Sequence, residues 1–109
     1  MQIYDKISRE AIKFTRRLVY MRIKDGFVLE EVGGEYLAVA VGSRAADFSG
    51  MVRMNGTGAF LWNLLDGKDM TEDELVKAVL DEYEVDEARV RIDVAAFAAK
   101  LRENGILEG

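Results

Sequence analysis

Residues 51–107 have the sequence MVRMNGTGAFLWNLLDGKDMTEDELVKAVLDEYEVDEARVRIDVAAFAAKLRENGIL. The first four residues alternate between two faces, as in a short strand, with Val52 and Met54 on the same side. From Asn55 onward the apolar residues recur at helical spacing instead. This part of the chain therefore predicts one short strand followed by three helices.

Each predicted helix has a start signal and an apolar face. Asn55 is a suitable N-cap for the first helix, and the third begins near Asp86. Thr71 and Glu74 form a Thr-x-x-Glu capping box at the start of the second. Asp66-Gly67 ends the first helix, and the third stops before Gly105. We expect one inward-facing set on each helix in turn: Phe60, Leu61, Leu64 and Leu65 on the first; Leu75, Val79, Leu80 and Tyr83 on the second; and Val90, Val94, Phe97 and Leu101 on the third. After the third helix, Ile106 and Leu107 should fold back onto the domain.

Two β-rich runs precede this region, over residues 27–32 and 35–41. Gly33-Gly34 separates them by a two-residue turn of the kind that needs positive φ, which predicts a tight hairpin. Residues 42–50 form a loop, and residues 51–54 add a third strand. The expected fold class is α+β: a three-stranded antiparallel sheet followed by a three-helix bundle, in a winged-helix-like arrangement.

The N-terminal region carries a further amphipathic pattern. Apolar residues over residues 3–19 recur near the helical period, with Lys and Arg at the other positions. We expect an N-terminal helical extension over residues 1–20 and a domain over residues 21–109. The helix could pack on its own domain or on a second copy, dock in a partner groove, or lie on a membrane surface.

Composition limits the possible chemistry. The chain has 109 residues, half of them apolar, and contains neither His nor Cys. The commonest general base, the thiol nucleophile and the usual zinc ligands are therefore missing, as is any disulfide framework. We expect a single non-enzymatic domain with no catalytic residue, no metal and no cofactor. Without a long apolar run or a signal-peptide pattern, the expected location is the cytoplasm.

Charge is distributed unevenly along the chain. Residues 1–24 carry seven basic and two acidic residues, a net charge of +5, whereas residues 66–87 carry ten acidic and two basic residues, a net charge of −8. A winged-helix fold raises the possibility of nucleic-acid binding, but a DNA-reading helix should be basic. The acidic second helix disfavours that reading, and the basic N-terminal segment alone leaves it open.

The order of these motifs resembles the PqqD family, the small proteins of pyrroloquinoline quinone synthesis and related peptide-modification pathways. The resemblance runs from about Met21 to Leu107 and includes the strand-to-helix junction at Asn55, Thr57 and Gly58. Other residues that carry it are Trp62, Leu64-Leu65-Asp66-Gly67, Val94, Phe97, Leu101 and Leu107.

The resemblance implies a recognition element that binds the leader of a ribosomally synthesised precursor peptide. Such a domain presents the peptide to a modifying enzyme, commonly a radical S-adenosylmethionine (SAM) protein. The leader adds as a strand to the third strand and faces the third helix, which suits an open sheet edge. The peptide-binding residues that this implies are Gly50, Met51, Val52, Arg53 and Met54 on the strand, and Arg91, Ala95, Ala98 and Arg102 on the helix.

Two alternatives come from other functional classes. One is a winged-helix module that binds nucleic acid. The other is a structural subunit whose edge strand pairs with itself in a homodimer.

Overall fold

The computed structural model describes residues 19–46 and 50–108. They form an α+β fold in which four strands precede three helices and a fifth short strand follows them. The strands are β1 (Arg22–Ile23), β2 (Phe27–Val32), β3 (Glu35–Ala40), β4 (Met51–Met54) and β5 (Leu107–Glu108); the helices are α1 (Gly56–Leu65), α2 (Glu72–Glu82) and α3 (Glu87–Glu103), and a short 3-10 helix spans Gly42–Ala46.

Strands β2, β3 and β4 form an antiparallel sheet in that order, which confirms the predicted sheet. The β2–β3 turn consists of Gly33 and Gly34, with φ of 58° and 82°. Two consecutive residues at positive φ are what a two-residue hairpin turn demands, and glycine adopts that conformation without a steric penalty. The register pairs Ala38 with Leu29 on β2 and with Val52 on β4, which fixes the core-facing side of the sheet.

The three helices begin at the residues that the sequence predicts. The Asn55 side chain accepts a hydrogen bond from the Gly58 N–H at 2.8 Å, and the Asp86 carboxylate accepts one from the Arg89 N–H at 3.2 Å. At α2 the capping box is complete, because Thr71 and Glu74 each accept a hydrogen bond from the other's backbone N–H. These bonds satisfy backbone donors that the first helical turn leaves free.

The core lies between the sheet and the helices. Its largest fully buried side chains are Trp62, Met21, Leu61, Leu65, Leu75, Leu101, Ile106 and Val94. Gly58 allows α1 to approach the sheet closely, since a Cβ atom there would lie 3.1 Å from the Cβ of Met54. The predicted apolar stripe of α3 is confirmed: Val90, Val94, Phe97 and Leu101 are all buried.

Both ends of the described chain are tied to this core. Met21 is fully buried and exchanges two backbone hydrogen bonds with Met70, at 2.8 and 3.1 Å. Strand β1 pairs with β5 in a second, two-stranded antiparallel sheet, in which Ile23 lies opposite Leu107. The expected folding back of Ile106 and Leu107 is therefore confirmed.

Two expectations have other outcomes. Tyr83 does not face inward: it is the C-cap of α2 in an extended conformation and is about half exposed. The predicted N-terminal helix falls almost entirely outside the described residues. Val19, its last residue, is described and is not helical.

Candidate functional site

The candidate site is a cleft between strand β4 and helix α3, which we call the edge groove. Its volume is about 230 Å³. The groove is lined by residues from the end of β4, the first turns of α1 and one side of α3: Met54, Asn55, Thr57, Gly58, Leu61, Asp93, Ala96, Phe97 and Lys100. Within residues 19–46 and 50–108, β4 pairs with β3 alone, so its other edge has no strand beside it.

The hydrogen-bond pattern shows which backbone groups face that open edge. The Val41 N–H donates to the Gly26 carbonyl at 2.8 Å, toward β2. In an antiparallel sheet the backbone N–H and C=O groups of successive residues point alternately toward the two neighbouring strands. The backbone groups of Val39 and Leu37 therefore also face β2, whereas those of Ala38 and Tyr36 face β4. Ala38 lies opposite Val52, so the Val52 backbone is bonded within the sheet.

The backbone of Met51 and Arg53 must then point outward. A second observation supports this: the Lys100 ammonium on α3 donates a hydrogen bond to the Arg53 carbonyl. The edge of β4 thus offers the N–H and C=O groups of two residues to a neighbouring chain. It is a short edge beside a helix wall.

The side chains of β4 alternate accordingly. Val52 is buried and Met54 is half-buried, whereas Met51 and Arg53 are exposed on the opposite face. The Arg53 guanidinium lies 3.8 Å from the Glu35 carboxylate, a solvent-exposed pair that contributes little to stability. Arg53 can therefore turn toward another acidic group at low cost.

The α3 residues predicted for the groove wall lie elsewhere. Arg91 lies 2.8 Å from Asp73 and 3.0 Å from Glu87, so it contacts α2 and its own first turn. The hydrogen bond to Asp73 raises the pKa of the Arg91 guanidinium above its usual value, and the hydrogen bond to Glu87 raises it further by a smaller amount. Ala98 is fully buried in the core.

Ala95 and Arg102 line a separate depression together with Val19 and Glu72. The wall that faces β4 instead consists of Asp93, Ala96, Phe97 and Lys100. Of the predicted strand residues, Met54 lines the edge groove, Met51 to Arg53 lie along the same strand, and Gly50 directly precedes it.

Ala96 follows from a signal that the sequence does contain. Residues 92, 95, 96 and 99 form a smooth, nearly uncharged face of α3, and all four are exposed in the structure. What the sequence lacks is an indication of which side of the core stripe faces the sheet.

Other classes of site are not prominent. Among residues 19–46 and 50–108, no group of three or more Asp or Glu side chains could hold a metal ion. None of the described helices has the length and apolar character needed to cross a bilayer. Trp62 is buried and packs within the hydrophobic core.

These features define a small α+β domain with an open strand edge facing a helix. A family model described as coenzyme PQQ synthesis protein D (PqqD) matches residues 18–107, and the chain belongs to the PqqD family.

Two solved structures are similar to the chain over most of its length. TbiB1 in complex with the TbiA(beta) leader peptide has a TM-score of 0.60 and 27% sequence identity, covering 81% of this chain and 95% of TbiB1. Lasso peptide synthetase B1 complexed with the leader peptide has a TM-score of 0.60 and 22% identity, covering 84% of this chain and 100% of that one. No curated protein matches the sequence.

Proposed function

We propose that this chain binds the leader segment of a ribosomally synthesised precursor peptide as an additional strand on β4. The observation that carries the proposal is the outward-facing backbone of Met51 and Arg53 beside the edge groove. Membership in the PqqD family supports it. So does the similarity to TbiB1, whose structure contains a leader peptide.

Strand addition divides the work between backbone and side chains. Backbone hydrogen bonds to Met51 and Arg53 supply affinity that does not depend on the peptide sequence. Alternate peptide side chains then point into the groove, where the exposed Ala96 leaves space beside the edge of the mostly buried Phe97. Specificity comes from those positions and from the charges of Lys100 and Arg53.

We further propose that the bound peptide is delivered to a separate modifying enzyme, a radical SAM protein or another peptide-modifying enzyme. In this arrangement the chain positions the substrate and the partner carries out the chemistry. A leader held along β4 leaves the rest of the precursor free to reach that partner. Co-purification of a modifying enzyme with the wild-type chain tests this step. A variant that still binds peptide but no longer co-purifies with the enzyme would locate the docking surface.

The peptide-binding step is tested with a display library of random peptides long enough to pair with β4 and cross the groove. Peptides selected on the wild-type chain are then titrated against two variants, Ala96→Glu and Ala95→Glu. The two alanines are neighbours on α3 and both are exposed. Ala96 lines the edge groove, whereas Ala95 lines the other depression.

Ala96→Glu should weaken binding by at least about tenfold, because the carboxylate fills an apolar part of the site and is desolvated by the peptide. Ala95→Glu should bind within about twofold of wild type, which is a free-energy difference below about 0.5 kcal/mol. Equal affinities for both variants, or selected peptides that leave the Met51 and Arg53 amides exchanging as fast as in the free chain, would contradict strand addition.

A further inference from the structure

We propose that a second concavity, between the three helices, receives an aromatic or branched aliphatic side chain of the leader just outside the strand-paired segment. We call this concavity the helical pocket. The inference rests on the proposed function, since the same peptide would occupy both the edge groove and the helical pocket. It assigns to the leader an anchor residue that strand pairing alone does not require.

The lining of the helical pocket is mostly apolar. Its volume is about 420 Å³, and it is formed by Phe60 of α1, Val79 and Tyr83 at the end of α2, Val85 in the connection, and Val90 of α3. Two of these side chains are accessible to solvent: Tyr83 is 51% exposed and Val85 is 47% exposed. An apolar patch that is left open in this way is typical of a binding surface.

The shape of the lining favours a ring or a branched chain. Phe60 and Tyr83 meet edge to face, with ring centroids 5.3 Å apart and planes at 72°. A third ring would extend this arrangement, which aromatic groups favour over stacking face to face. Arg89 and Asp93, joined by an ion pair at 3.3 Å, provide a polar rim.

The helical pocket is continuous with the edge groove. Thr57 and Asp93 line both concavities, which therefore adjoin each other. Strand β4 ends at Met54 and leads through Asn55 directly into α1. A peptide lying along β4 therefore passes over Thr57 as soon as it runs beyond Met54.

The direction of the peptide decides which flank reaches the pocket. Every strand pair in the β2–β3–β4 sheet is antiparallel, and antiparallel pairing is slightly more stable per residue than parallel pairing. A peptide added in the same sense has its N-terminal flank at Met54. We therefore place the anchor side chain immediately N-terminal to the paired segment.

Gly56 allows the helical pocket to be filled without disturbing the fold. It lines the pocket at the first position of α1, and a Cβ atom built there meets nothing within 4 Å. Gly56→Trp should place an indole in the pocket. Lys77→Trp is the matched control, because Lys77 is exposed on α2 and lines neither concavity.

The experiment uses the display-selected peptides as probes. Peptides selected on the wild-type chain should carry an aromatic or branched aliphatic residue at a fixed position before the paired segment. Gly56→Trp should weaken their binding by roughly 10- to 100-fold, the effect of losing one buried large apolar side chain, while Lys77→Trp should not change it. Replacing the anchor residue of the peptide by Ala should cause the same loss on the wild-type chain and no additional loss on Gly56→Trp.

Hydrogen exchange at the Arg53 amide separates failure of this inference from failure of the proposed function. If peptides protect that amide but Gly56→Trp binds them as wild type does, the helical pocket is not part of the site. The same conclusion follows if Gly56→Trp weakens binding of the Ala-substituted peptide as much as it weakens binding of the original peptide. If no selected peptide protects the amide, strand addition itself is wrong. Self-association of the wild-type chain that Gly56→Trp abolishes would assign the pocket to a second copy and overturn the inference.

Discussion

The Lys100 ammonium of α3 donates a hydrogen bond to the backbone carbonyl of Arg53 on β4. This contact joins the helix wall to the open strand edge across 47 residues of sequence. It also occupies an acceptor that an added strand would use, since the Arg53 carbonyl points away from β3. The Lys100 ammonium therefore competes with an added strand for this carbonyl.

Lys100→Met should strengthen the binding of peptides that lack acidic residues. The substitution keeps the aliphatic stem but removes the competing donor, and a typical hydrogen bond has a net value of about 0.5–1.5 kcal/mol. The expected gain is about two- to tenfold in affinity, measured by titration of a display-selected neutral peptide. Lys77→Met is the control, because Lys77 is exposed and is not part of the groove lining. Weaker binding by Lys100→Met would show that the ammonium contacts the peptide instead of competing with it.

Proline at two adjacent positions of β4 should have different effects. The Val52 N–H faces β3, so Val52→Pro removes a hydrogen bond within the sheet, leaves its acceptor unpaired and should destabilise the fold by about 1–3 kcal/mol. The Arg53 N–H faces the open edge, so Arg53→Pro should leave the fold intact and weaken peptide binding by about tenfold. Urea unfolding and peptide titration together distinguish the two effects.

Arg53→Ala is the necessary control for this comparison, since it removes the guanidinium but keeps the N–H. It should bind uncharged peptides more tightly than Arg53→Pro does.

Light scattering on the same set of variants tests whether β4 pairs with β4 of a second copy. A wild-type dimer that Arg53→Pro dissociates would favour the edge-to-edge homodimer over peptide binding.

Much of the fold follows from local signals in the sequence. Asn55, Thr71 and Asp86 begin helices because their side chains can accept the free N–H groups of a first turn, and this requires no tertiary information. Strands β1 and β5 are different. Each has two residues, too few for an alternating pattern. Each forms only by pairing with the other, which is distant in the sequence, so no local signal predicts them.

The candidate site was predictable on one side only. Strand β4 was placed by its alternation, but the wall of α3 depends on which flank of the core stripe faces the sheet. Both flanks contain alanines, at positions 95 and 96, and both contain cations, Arg91 and Lys100. The packing of α3 against α2 resolves the ambiguity, with Arg91 bound to Asp73, and no local pattern contains that information.

Arg91→Ala should therefore leave peptide affinity unchanged. The guanidinium is engaged with Asp73 and Glu87, and this exposed ion-pair network should contribute less than about 1 kcal/mol to the free energy of unfolding. The contribution should decrease as salt is added, because exposed charges are screened. A tenfold loss of peptide affinity in Arg91→Ala, with stability unchanged, would return Arg91 to the binding site.

Thr71→Ala should destabilise the domain without changing its binding specificity. Thr71 is 4% exposed, and its hydroxyl accepts the Glu74 N–H at 3.1 Å while Glu74 accepts the Thr71 N–H at 2.9 Å. Removing the hydroxyl leaves the part-buried Glu74 N–H without its partner and loosens the start of α2, at a cost of about 1–2 kcal/mol in the free energy of unfolding. Thr71→Ser keeps the acceptor and should recover most of that loss, as measured by urea unfolding. Because α2 contributes no residue to the edge groove, peptide affinity of the folded fraction should stay within about twofold of wild type for both variants. A selective loss of affinity in Thr71→Ala, at a urea concentration where the chain is still folded, would show that α2 is coupled to the groove.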